Sequence, residues 1–278
     1  MREIAALKIT EAVKNLCQEA NYNLAEDVLE AINQALAEEE SPPGREILRE
    51  IIKNAEIARK EKLPICQDTG LAIVFLEIGQ EVRIVGGDLH EAINQGVSEG
   101  FANLRKSVVL SPLKRVNTND NTPAIIHLDT VPGDKIKIGV LVKGGGGENA
   151  SSLKMFLPTA SSEDIIKYVA EVVEKAGPQS CPPVIVGVGM GGSFDYVTYL
   201  AKKALTRPVA RHHSQSDIAK LEKEMLKRIN ETGVGPMGLG GKVTALAVHI
   251  ETYPCHIASL PVAVNLECHA HRYKEIVL

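Results

Sequence analysis

The chain has 278 residues, of which 44% are apolar and 24% charged, an ordinary globular composition with length enough to bury a substantial core. A net charge of −4, an aromatic content of 4% and the absence of Trp argue against a nucleic acid or an anionic membrane as partner. No apolar run approaches the roughly 20 residues of a spanning helix, and Met1-Arg2-Glu3-Ile4 lacks the apolar stretch of a secretory signal, so a soluble, cytoplasmic protein is expected.

The first 60 residues read as helical. Ile9, Val13, Leu16, Cys17 and Ala20 recur at helical spacing and place Cys17 in a core. A second helix is expected from near Asn23, where Glu26 follows as in a capping box. Ser41-Pro42-Pro43-Gly44 breaks that pattern before a third helix carrying Ile47, Leu48, Ile51, Ile52 and Ala55. Residues 71–78 and 82–85 read as strands, as does 135–142 with its alternating Ile136, Ile138, Val140 and Val142. Residues 162–176 are expected as a helix, 184–188 as a buried strand and 193–204 as a helix. Residues 214–231 read as a charged helix, a lid or exposed arm, and 243–250 and 257–264 as closing apolar segments. The expected fold class is mixed α/β (α+β). An N-terminal helical segment, 1–60, precedes a glycine-loop-rich α/β body, 61–278, the whole reading as one continuous domain.

Four loops concentrate reactive residues. Pro64-Ile65-Cys66-Gln67-Asp68-Thr69-Gly70 is either a tight turn with Asp68 bonded to its own backbone or a site. Lys143-Gly144-Gly145-Gly146-Gly147-Glu148-Asn149 has more glycines than a hairpin needs, which favours backbone N–H groups approaching an anion. Cys181-Pro182-Pro183 leads into Val184–Val188 and Gly189-Met190-Gly191-Gly192. There Gly187, Gly189 and Gly192 satisfy G-x-G-x-x-G, but no acidic residue follows about 20 positions on to hold a ribose. A last glycine loop, 233–242, precedes Glu251-Thr252-Tyr253-Pro254-Cys255-His256-Ile257-Ala258 and Glu267-Cys268-His269-Ala270-His271-Arg272. These two stretches hold zinc-type side chains without zinc-type spacing. Cys66, Cys181 and Cys268 each lie beside a Gly- or Pro-rich turn, 115 and 87 residues apart. Such dispersed thiols suit a soft metal or an iron–sulfur cluster only if folding gathers them.

Together the Ile65–Gly70 turn, the Lys143–Asn149 loop, Val186–Gly192 and the stretch from Gly235 to Ala270 resemble the class I fumarate hydratase family, whose near relative is L-tartrate dehydratase. The resemblance runs nearly end to end and implies an oxygen-sensitive [4Fe–4S] hydro-lyase that hydrates fumarate reversibly to L-malate. By position it implies Cys66, Cys181 and Cys268 as cluster ligands and Asp68 and His256 as catalytic groups. It places Gln67, Arg105, Gly146 and Gly147 at the carboxylates of a small dicarboxylate substrate. Single-chain members carry a further C-terminal domain of about 200 residues, so this chain resembles the α subunit of the two-subunit form. A β subunit, in an α2β2 assembly, would complete the site. The competing expectations are an L-tartrate dehydratase α subunit, a non-catalytic cluster-binding module, and a nucleotide-binding oxidoreductase built on Gly187, Gly189 and Gly192.

Overall fold

The computed structural model describes residues 1–278. In chain order it runs β1 (Arg2–Ala5), α1 (Ala6–Tyr22), α2 (Glu26–Glu38), α3 (Pro42–Glu61), β2 (Leu71–Gly79), β3 (Val82–Val85) and α4 (Leu89–Gly100). There follow β4 (Ile125–Val131), β5 (Ile136–Lys143), the single helical turn α5 (Gly145–Asn149), β6 (Ser152–Phe156), α6 (Ser162–Ala176) and β7 (Val184–Gly191). The chain closes with α7 (Tyr196–Ala204), α8 (Ser216–Asn230), β8 (Ala245–Tyr253), β9 (Leu260–Glu267) and β10 (Tyr273–Val277). The fold is mixed α/β, as expected. No helix is long and apolar enough to cross a membrane.

The chain divides into two compact units, and neither is contiguous in sequence. The first comprises Met1–Ala25, Ala55–Gly144 and Arg272–Leu278, the second Glu26–Asn54 and Gly145–His271.

In the first unit a four-stranded sheet has the order β10-β5-β2-β4, with β4 parallel to β2 and the other pairings antiparallel. The alternation read in β5 turns Ile136, Ile138, Val140 and Val142 toward one core, joined by Ala72, Val74 and Leu76 of β2. Helices α1 and α4 fill that core with Ile9, Val13, Leu16, Cys17, Ile93 and Val97. Burial there pushes the Cys17 thiol up to about 12, so Cys17 is a packing residue, as its helical spacing predicts. The chain does not start in a helix: β1 pairs in parallel with β3. Asn23 closes α1 instead of opening α2, because its backbone and side-chain N–H groups both turn back onto Glu19.

The second unit is three-layered around the sheet β6-β9-β7-β8. Strand β7 is buried on both faces. Val184, Val186 and Val188 meet α6 and α8, whereas Gly187 and Gly189 meet α7. A Cβ on Gly187 would lie 2.1 Å from the Ala201 carbonyl oxygen, and one on Gly189 2.2 Å from that of Val197. These glycines of the G-x-G-x-x-G match therefore let a helix lie directly on a strand. That use needs no nucleotide, and the mixed β7–β8–β9 pairing is not a dinucleotide-binding sheet.

Helix α6 spans 162–176 as the sequence predicts, opened by a capping box between Ser161 and Asp164. The expected break between the second and third helices is present at 39–41, and Pro42 opens α3, where a proline lacking its N–H is tolerated. The charged helix read as a lid or arm is instead a packed element, because its amphipathic face buries Met225 and Ile229. The buried Glu222 carboxylate of α8 accepts the Ile250 N–H of β8 at 2.9 Å and pairs with Arg207 at 2.7 Å.

Candidate functional site

In the first unit the Cys66–Gly70 turn leads into β2. Asp68 Oδ1 accepts the Gly70 N–H at 2.9 Å and the Ser107 hydroxyl at 3.3 Å. The modest reading of this turn, an aspartate bonded to its own backbone, is realised, and it fixes one oxygen of a half-buried carboxylate. Cys66 is half-buried, with its thiol 3.5 Å from the side-chain oxygen of the exposed Gln67.

Arg105 is brought to the same turn through its backbone, since the buried Thr69 hydroxyl donates to the Arg105 carbonyl at 2.7 Å. Its guanidinium is on the exposed side. A fully buried Asn121 completes the link. Its Oδ1 accepts the Ser107 N–H at 2.7 Å and its Nδ2 donates to the Gly70 carbonyl at 3.1 Å. On the far side Arg272 Nη1 donates to the Asp68 carbonyl. The turn is thus bound to segments about 35 and 200 residues away, and each tie satisfies a backbone group that would otherwise be costly to bury.

In the second unit the His269 ring accounts for the placement of Cys181. Its Nδ1 lies 2.9 Å from the Cys181 carbonyl; a carbonyl only accepts, so Nδ1 is the proton-bearing nitrogen. This bond sets the residue after Cys268 against the backbone of Cys181, in the left-handed conformation at φ 51°. Both cysteines are half-buried.

Gly146 lies against the Gln179 carbonyl, two residues before Cys181. The α5 turn is fastened by Glu148, which pairs with Lys202 at 2.5 Å, and by Ser151, which donates to the Gly147 carbonyl at 2.8 Å. Asn265 of β9 reaches both Glu148 and Ser151. Three of the four glycines, Gly145–Gly147, form a helical turn rather than a hairpin.

His256 stands on the exposed β8–β9 loop. Its Nδ1 accepts the Ala258 N–H at 3.1 Å, which leaves Nε2 to carry the ring proton. The structure ties it to none of the other candidate residues within its unit. Cys255 is exposed and donates to the Ser259 carbonyl.

The donor chemistry can be tested against a cluster. All five cysteines are thiols rather than disulfides. One is inert by burial and one is fully exposed on a loop. The remaining three are half-buried beside turns, one in the first unit and two in the second. Neither unit alone gathers three His, Cys, Asp or Glu side chains as a metal-holding group. Three soft thiol donors fit a cluster with one open iron, which needs only three protein ligands.

The sequence matches the fumarate hydratase (fumerase) family model over residues 10–277. The chain belongs to the fumarate hydratase family. Among its relatives is a Methanocaldococcus jannaschii protein provisionally named L(+)-tartrate dehydratase subunit alpha, 42% identical over 96% of each chain. The L(+)-tartrate dehydratase subunits alpha of Escherichia coli K12 and Shigella sonnei are each 32% identical over 98% of this chain and 91% of their own. The fumarate hydratase family and these relatives are hydro-lyases by name, and "subunit alpha" in the relatives' names denotes an enzyme of more than one chain.

The sequence reading missed Ser107 and Arg272 as bonding partners of Asp68, and Thr69 and Asn121 as the ties that hold its turn to Arg105 and Ser107. These contacts arise from long-range folding, and no local pattern signals them.

Proposed function

We propose that this chain is the α subunit of a [4Fe–4S] hydro-lyase that adds water to, or removes it from, a four-carbon dicarboxylate, with fumarate and L-malate as the substrate pair. The observation that carries the reading is the His269–Cys181 bond, which joins two cysteine segments 87 residues apart within one unit. Cys66, Cys181 and Cys268 would hold the cluster, whose open iron supplies Lewis-acid assistance to a hydroxyl leaving group.

The protein's own groups divide the remaining work. Asp68, with Oδ1 fixed by Gly70 and Ser107, holds or moves the proton at the leaving hydroxyl, and His256 is the second acid–base group. Arg105 and Gln67 project from the anchored turn and orient substrate carboxylates, the guanidinium by paired hydrogen bonds. Backbone N–H groups at Gly146 and Gly147 would do the same. A β subunit handles the proton on carbon.

A second reading rests on the names of the relatives: L(+)-tartrate as substrate, differing from malate by one hydroxyl. The enzyme assembled with its partner subunit would be assayed on fumarate, L-malate and L(+)-tartrate. Iron and acid-labile sulfide would be measured alongside, for the native chain and Cys66→Ser. About four of each per chain, lost in the variant, with turnover of fumarate, is the expected result. Turnover of tartrate alone moves the substrate to the second reading, and no cluster in either protein rejects the cofactor.

A further inference from the structure

We propose that Arg272 is the positioning residue that orients the Asp68 carboxylate, acting from behind the turn rather than on substrate; this rests on the role given to Asp68 above. Arg272 precedes β10 and is 1% exposed. Its backbone carbonyl accepts the Val142 N–H of β5 at 2.9 Å, which locks the residue to the sheet. From there Nη1 donates to the Asp68 carbonyl at 2.5 Å and reaches Asn21 Oδ1 at 3.5 Å. Asn21 in turn accepts the Ile65 N–H on its carbonyl at 2.9 Å, one residue before Cys66.

The second half of the fork points at Gly144. A Cβ on Gly144 would stand 3.1 Å from Arg272 Nη2 and 3.4 Å from Asp68 Oδ2. Nη2 and Oδ2 therefore both border the space that a Gly144 side chain would fill. Asp68 is held at two points, Oδ1 by Gly70 and Ser107 and the backbone carbonyl by Nη1.

Two features separate this from ordinary packing. Burying a guanidinium is expensive, and a single bond to a main-chain carbonyl does not require one. Arg272 Nε also has no hydrogen-bond partner, so the group is not present to satisfy all its donors. What it supplies is a rigid cationic plane against the turn that carries a carboxylate. Such a plane fixes the carboxylate's direction, which is what proton transfer at a bound hydroxyl demands.

The test is a double-mutant cycle in the cluster-loaded enzyme with its partner subunit. Arg272→Lys and Gly144→Ala would each be placed in the native and the Asp68→Asn backgrounds. Turnover, KM, iron and sulfide content and melting temperature would be measured for every protein. Arg272→Lys keeps a cation but loses the fork. Gly144→Ala keeps the fork but puts a methyl group into the space that Nη2 and Oδ2 border, and serves if Arg272→Lys fails to fold.

In the native background kcat is expected to fall about tenfold or more, with KM changed less than about threefold and iron unchanged. In the Asp68→Asn background the same changes should cost less than about twofold, because the group they orient is gone. An equal loss in both backgrounds, an unchanged kcat, or a loss that tracks iron content overturns the proposal. Full activity of Asp68→Asn itself overturns the role of Asp68 first, which distinguishes the two failures.

Discussion

Both carboxylate oxygens of Glu39 accept the same backbone N–H, that of Lys242, at 3.0 and 2.9 Å. Glu39 also accepts from Val243, Glu40 and Ser41 and is 1% exposed. It fastens the turn between α2 and α3 to the end of the 233–242 glycine loop. Burial alone would raise its carboxyl, but the four N–H donors outweigh that and hold it below the ordinary carboxylate value. A group depressed in the fold stabilises above its unfolded value near 4.5, and the contribution is lost as pH falls through the folded value. Glu39→Gln should cost on the order of 3 kcal/mol at neutral pH. It should also flatten acid unfolding below pH about 4.5; a melting temperature unchanged at pH 7 would refute this account.

His249 makes a second, separate pH prediction. It is buried, and desolvation, followed by the Arg207 charge, lowers its ring to about 4 from 6.5. It is neutral in the fold, so its contribution is full above pH 6.5. That contribution is lost as pH falls from there toward 4, when the unfolded chain takes up the proton first. His249→Gln should remove that slope from a plot of stability against pH between 6.5 and 4; an identical slope would assign it to other groups.

Asp68→Asn preserves the turn, because an amide oxygen can still accept the Gly70 N–H. The variant should therefore load iron and melt like the native protein while kcat falls by about 10²–10⁴. Measured together, iron content and turnover separate a catalytic loss from a folding loss. Native turnover would remove Asp68 from the reaction.

Gly187→Ala inserts a methyl group 2.1 Å from the Ala201 carbonyl, where neither backbone can yield cheaply. It should destabilise by about 2–4 kcal/mol, as overpacking of a tight interior does. Isothermal titration of the native protein with NAD should give no heat of binding. Saturable NAD binding abolished by the same substitution would restore the nucleotide reading.

The chain without a partner subunit should take up iron and sulfide but show almost no hydration activity. Anaerobic reconstitution followed by a fumarate assay, before and after adding the partner, checks this. Full activity from the single chain would discard the two-subunit reading.

What the sequence discloses is local. Helix α6 is legible to the residue because Ser161, Asp164 and the apolar period agree. Strand β5 is legible because Ile136, Ile138, Val140 and Val142 alternate. Strand β10 is not, since Tyr273–Val277 is short and mostly exposed and becomes a strand only by pairing with β5. Helix α8 reads as a helix but not as a packed one, because its many charges mask the stripe of Met225 and Ile229. Within the candidate site, the Asp68 turn is visible in Asp-Thr-Gly. The hydroxyl of Ser107 and the guanidinium of Arg272 reach it from 39 and 204 residues away, and no local pattern encodes that distance.

The two units are laced rather than strung. The backbone crosses from one to the other between residues 25 and 26, 54 and 55, 144 and 145, and 271 and 272. A nick at 54/55 or 144/145 leaves each body built from stretches on both sides of the cut, and one at 25/26 or 271/272 divides the first body alone. Limited proteolysis at 54/55 or 144/145 should yield fragments that stay together until denatured, and no truncation at a crossing leaves the first body whole. Strand β10 is synthesised after the entire second unit, so the first sheet cannot close over β5, nor Arg272 reach Asp68, until almost all of this sequence has been made.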